Sequence, residues 1–95
     1  MKHNNDFIRL MICDGYNLYI CSSINSFVNY YNKYNDEKVQ WFHILKILKN
    51  GITDGDEFIN FKDFKIKIID DYDYYQEMKK DKQFVAPGVY IQYYC

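Results

Sequence analysis

Apolar and polar positions alternate along this chain in two rhythms. Between residues 7 and 21, Ile8, Leu10 and Ile12 alternate with Arg9 and Met11. Tyr16, Leu18 and Ile20 then alternate with Asn17 and Tyr19. Period-two patterning on both sides of Asp14-Gly15 predicts a β-hairpin. A two-residue Asp14-Gly15 turn pairs Ile12 with Asn17 and mixes the faces. A three-residue loop, Cys13-Asp14-Gly15, pairs 12 with 16, 10 with 18 and 8 with 20, which gathers all six apolar residues on one face. That second register is the expected one.

The rhythm then becomes helical. Ser22-Ser23 is a capping signal, and Ile24, Phe27, Val28, Tyr31 and Tyr34 recur at helical spacing, predicting a helix over 24–34. Asn35-Asp36 breaks it, and Asp36 and Glu37 suit the positive start of a second helix. That helix carries the densest apolar run, from Val39 to Leu48, with the only tryptophan. Its expected main stripe is Trp41, Leu45 and Leu48, widened by Phe42, Ile44 and Ile47. Such a stripe predicts a central, mostly buried helix reaching Asn50, with Gly51 as a left-handed C-cap.

Thr53-Asp54-Gly55-Asp56 reads as a turn. Residues 57–61 fit either a strand or one helical turn. Phe64 to Ile68 alternates cleanly and predicts a half-buried strand. Asp70-Asp71-Tyr72-Asp73 turns the chain into a short helix over 74–80. Pro87-Gly88 is a turn pair, and Val89 to Tyr94 is a closing strand that suits a sheet edge. The expected fold is α+β: one domain over residues 1–95, an antiparallel sheet begun by the N-terminal hairpin, and helices packed on a single face.

Composition narrows the function classes. Tyr, Phe and Trp make up 20% of residues, and eleven of them are Tyr. Tyr joins an apolar ring to a polar tip and suits half-buried positions and interfaces. Ile, Lys, Asn, Tyr and Phe account for 50 of the 95 residues, against 7 for Ala, Arg, Pro and Gly. That skew is what A/T-rich codons produce, so part of the Tyr excess reflects a genome such as that of a low-GC bacterium, a phage or a large DNA virus. Net charge is −1, which argues against direct nucleic-acid binding. Three cysteines, Cys13, Cys21 and Cys95, form an odd set without metal-ligand spacing, and free thiols in a cytoplasm are expected. The opening Met-Lys-His-Asn-Asn-Asp has no long apolar run behind it, so a secretory leader is not expected, and no run reaches the length of a membrane span.

The chemical motifs are weak. Asp54 to Phe64 resembles the second half of an EF-hand calcium loop, with Asp54, Asp56 and Asp63 at ligand positions. Ile52 falls where the first ligand belongs and Glu57 where glycine belongs, and both depart from the pattern. A nucleophilic set would draw on Cys13 or Cys21 with His43, but a histidine beside Trp41 and Phe42 more often packs than catalyses. His3, His43 and the cysteines lack zinc spacing. No cofactor, metal or catalytic residue is expected.

Charge is the more useful signal. Residues 54–77 hold eight acids and three lysines. The expected contact surface is therefore an acidic, tyrosine-bearing edge: Asp54, Asp56, Glu57, Asp70, Asp71, Tyr72, Asp73, Tyr74 and Tyr75, with Tyr90 and Tyr94 on the last strand. Such an edge would dock on a basic groove, with Tyr as anchors. The expected function is a non-enzymatic protein-binding module. One form of it is a phage or mobile-element inhibitor of a host defence or nucleic-acid-handling enzyme, in the manner of an anti-CRISPR, acting in the host cytoplasm. Homodimer formation through a tyrosine-rich edge strand is a further expectation. The alternatives are a small-ligand or nucleotide-binding protein with an aromatic pocket at an oligomer interface, and a degenerate EF-hand-like calcium module.

Overall fold

The computed structural model describes residues 8–55 and 57–93. In chain order the elements are β1 (Arg9–Cys13), β2 (Asn17–Cys21), α1 (Ile24–Tyr34), α2 (Trp41–Asp54), β3 (Ile59–Phe61), β4 (Phe64–Ile69), α3 (Tyr72–Lys79), β5 (Gln83–Ala86) and β6 (Val89–Tyr93). The six strands form one antiparallel sheet in the order β3-β4-β1-β2-β6-β5. The α+β class and the opening β1–β2 hairpin are as the pattern predicts.

The register of that hairpin is not. Leu10 pairs with Cys21, Met11 with Ile20, Ile12 with Tyr19 and Cys13 with Leu18. The turn residues are Gly15 and Tyr16, closed by the Asp14 amide on the Asn17 carbonyl at 3.3 Å. Gly15 alone takes a positive φ, +93°, the pattern of a type II′ turn. The Asp14 carboxylate fixes it by accepting from the amides of Tyr16 (2.9 Å) and Asn17 (2.8 Å). The expected register assumed a single buried face. The sheet buries both, so β2 carries apolar residues on both sides and one-sidedness cannot select its partner.

One face holds Leu10, Ile12, Cys21, Ile66 and Val89 beneath Ile24, Phe27, Val28 and Tyr31 of α1 and Ile44 and Leu48 of α2. The other face holds Ile20 and Ile69, covered by Tyr75 of α3, with Met11, Leu18, Met78 and Tyr90 around them. The two long helices thus share a face as expected, whereas short α3 lies on the opposite one. Ile69, the last residue of β4, already points to that second face, and the chain follows it.

Helix α1 matches its predicted span, and Ser23 caps it by accepting from the Ser26 amide at 3.1 Å. Helix α2 differs. It starts at Trp41 with no side-chain cap and continues past Gly51 to Asp54, ending on Gly55 at φ +80°. Gly51 is therefore inside the helix, and its reason is proximity: a Cβ there would lie 2.3 Å from Cγ1 of Ile59 on β3. The buried side of α2 is Ile44, Leu48 and Gly51, so Trp41 (41% exposed) and Phe42 (58%) stand on its outer flank and not in the core.

The last hairpin turns at Pro87-Gly88. Strand β6 lies between β2 and β5, so it is not the sheet edge the sequence suggested. The edges are β3, three residues long, and β5, whose pairing with β6 is interrupted between Phe84 and Ala86. Strand β5 has no counterpart in the sequence reading. Its residues lack the alternation that marks β4.

Candidate functional site

The expected acidic edge is only partly one surface. Asp71 caps α3 by accepting from the amides of Asp73 (2.9 Å) and Tyr74 (3.4 Å), which gathers Asp70, Asp71, Tyr72, Asp73 and Tyr74 at one helix start. Tyr72 is 56% exposed and Tyr74 48%. Asp54 and Glu57 are also exposed, at the end of α2 and before β3. The pairing of Ile59 with Ile66 places that segment at the end of the sheet where β4 finishes, as α3 begins. Glu57 is paired with Lys67 at 3.3 Å, so its charge is partly spent within the chain.

Two candidates are not surface anchors. Tyr75 is 5% exposed and forms the second core; burial, its largest influence, raises the pKa of its hydroxyl. Tyr90 is half-buried against Phe84, with the Lys79 ammonium 5.2 Å from its ring centre. Asp56 and Tyr94 lie outside the described residues, as do His3 and Cys95.

Arg9 organises this lobe and escaped the sequence reading. Its guanidinium lies 5.4 Å from the Tyr72 ring centre and 5.6 Å from that of Tyr75, and it donates to the Asp70 carbonyl at 3.2 Å. The available signal was that a chain with eleven lysines has one arginine, placed in a strand. Planar stacking on rings is a task lysine performs less well.

A second feature is a pocket of about 130 Å³ between α1 and the sheet, at the hairpin-tip end. Tyr19, Phe27, Tyr30, Tyr31, Tyr34 and Phe64 form its walls, with Asn35 at its margin. The rings are tilted or edge-on to one another: Tyr19–Tyr30 at 5.8 Å, Tyr30–Tyr34 at 5.0 Å, Tyr19–Phe64 at 6.4 Å and Tyr31–Phe64 at 6.0 Å. Burial raises the pKa of Tyr19 and of Tyr30, and for Tyr30 the neighbouring Tyr19, Tyr34 and Tyr93 hydroxyls add to the effect. The Tyr19 hydroxyl donates to Oδ2 of Asp14 at 3.2 Å. Helical spacing marked Tyr31 and Tyr34 as core residues; Tyr31 is buried, whereas Tyr34, at the last position of α1, is 63% exposed. Only the observed register brings Tyr19 beneath them.

The weaker motifs are dispersed. The EF-hand-like window spans the last turn of α2 and the β3–β4 hairpin, not one loop. Among the described residues no three His, Cys, Asp or Glu side chains converge on a metal position. Cys21 is free and fully buried, and burial pushes its thiol far above the usual range, whereas His43 is exposed on α2. Among the described residues no helix is long and apolar enough to cross a membrane.

Compared with known proteins, the chain matches no family model, no curated protein and no solved structure.

Proposed function

We propose that this chain is a non-enzymatic protein-binding module that docks the start of α3 on a basic surface of its partner. One observation carries the reading: exposed Tyr72 and Tyr74 stand among Asp70, Asp71 and Asp73 on a capped helix start braced from below by Arg9. Rigid aromatic anchors ringed by like charges suit fast, oriented association. The A/T-type composition supports a narrower form, an anti-defence inhibitor from a phage or mobile element acting on a nucleic-acid-handling host enzyme. A cytoplasmic setting belongs to that form.

The test is capture of a partner from host lysate by the wild-type chain and by Asp70→Lys/Asp73→Lys. Asp71 is left in place because it caps the helix. The expected result is a basic partner that the wild-type chain retains at low salt and the double variant loses. Equal capture by both chains would remove α3 from the interface.

The aromatic pocket supports a second reading, a small-ligand-binding protein. The pocket forms within one chain, so it does not need the oligomer interface assumed from sequence. A ligand at 100 times its dissociation constant adds about 2.7 kcal/mol of stability, which a thermal-shift screen detects.

A further inference from the structure

We propose that the aromatic pocket between α1 and the sheet is a cation site that takes a small alkylammonium group, quaternary or methylated. This deepens the small-ligand reading and rests on it; it is independent of the α3 surface.

Three features of the pocket favour a cation over a neutral guest. Its walls are aromatic side chains from β2, α1 and β4, and aromatic rings attract cations through their quadrupole. The Tyr19 hydroxyl donates to the Asp14 carboxylate at 3.2 Å, a closer contact than the 3.5 Å at which it accepts from the Asn17 amide, so the phenol is left more electron-rich and is tied to a formal negative charge. Asn35 commits one of its two amide N–H groups to the Tyr31 carbonyl at 2.8 Å, and its side-chain oxygen can accept from a guest at the margin.

The cations nearby do not fill the site. Lys33 lies 5.6 Å from the Tyr34 ring centre but lines a neighbouring hollow on the other side of Tyr30. Lys62 is held by Glu37. The volume of about 130 Å³ is close to that of cavities of about 150 Å³ that accept a benzene ring, the bulk of a trimethylammonium head. Size alone would therefore admit either guest, and charge is the discriminating property.

The experiment titrates the full chain with choline and, separately, with its uncharged isostere 3,3-dimethylbutan-1-ol, following binding by calorimetry and by amide shifts in NMR. Choline is expected to bind at least about tenfold more tightly than the isostere. Tyr34→Leu is expected to reduce that preference and Tyr34→Phe to keep it. Tyr34 is 63% exposed, so neither change should prevent folding, and circular dichroism checks that. A trimethyllysine peptide is the second arm: tighter binding than choline assigns the cation to a protein partner, and weaker binding assigns it to a free metabolite. Equal affinity for choline and the isostere overturns the cation proposal while leaving an apolar ligand pocket. Binding of neither overturns both. Asp70→Lys/Asp73→Lys should leave the choline titration unchanged, so the two readings fail separately.

Discussion

At the scale of single residues, Gly51 shows how a contact can overrule intrinsic preference. Alanine in a helix interior is favoured over glycine by about 1 kcal/mol. At Gly51 the added methyl would meet the stem of buried Ile59, so β3 would have to move. Gly51→Ala is expected to destabilise the fold by about 1–3 kcal/mol in urea unfolding, the usual cost of overpacking. A stabilised variant would mean that α2 and β3 are less closely seated than described. Cys21 offers a second residue-scale test. Its thiol is fully buried and held neutral, so a thiol reagent is expected to modify it only at the rate at which the chain unfolds. Rapid labelling at Cys21 itself in native protein at pH 8, located by peptide mapping, would contradict its placement.

At the scale of elements, the helix caps separate structure from recognition. Ser23 caps α1 and Asp71 caps α3. Replacing either by alanine is expected to cost about 1 kcal/mol, read as a lowered denaturation midpoint. Asp71→Asn should keep the cap and lose the charge, so a loss of partner capture in that variant reports electrostatics alone. Much of this level was legible in the sequence. Periodicity located α1 and β4, because each has one buried side and one wet side. It misplaced Trp41, because a dense apolar run looks central even when part of it flanks the core. It mis-set the β1–β2 register, because that inference required β2 to have only one buried side. It missed the pocket for the same reason, since Tyr19 reaches α1 only in the true register. Arg9 and the start of α3 are joined by contacts 61 residues apart, which no local pattern encodes.

At the scale of the whole molecule, the sheet order places β4, β1, β2 and β6 inside and leaves β3 and β5 outside. Backbone amides of β1 and β2, which lie between the two cores, are expected to exchange slowest in hydrogen-exchange measurements, and those of β3 and β5 fastest. Uniform protection across the six strands would count against two separate cores. The pH response follows from buried and part-buried acids. Cys21, Tyr19, Tyr30 and Tyr75 all have folded pKa values raised above their ordinary 9.0 or 10.0. The unfolded chain therefore loses these protons first. Stability from these groups is complete below about pH 9 and falls as pH rises beyond it. The melting temperature should drop between pH 9 and 10.5, and Cys21→Ala should remove part of that slope. A flat profile over that interval would show that these groups are not buried as described.

The outer strands have a consequence for how this molecule meets others. β3 is three residues long and β5 is irregular in its pairing, so neither offers a straight row of unsatisfied amides and carbonyls to a neighbour. Main-chain annealing, the least selective form of protein adhesion, is thereby blunted on both flanks. Among the described residues, the groups left to make contact are therefore side chains, and each of those can be altered one at a time without unpicking the sheet.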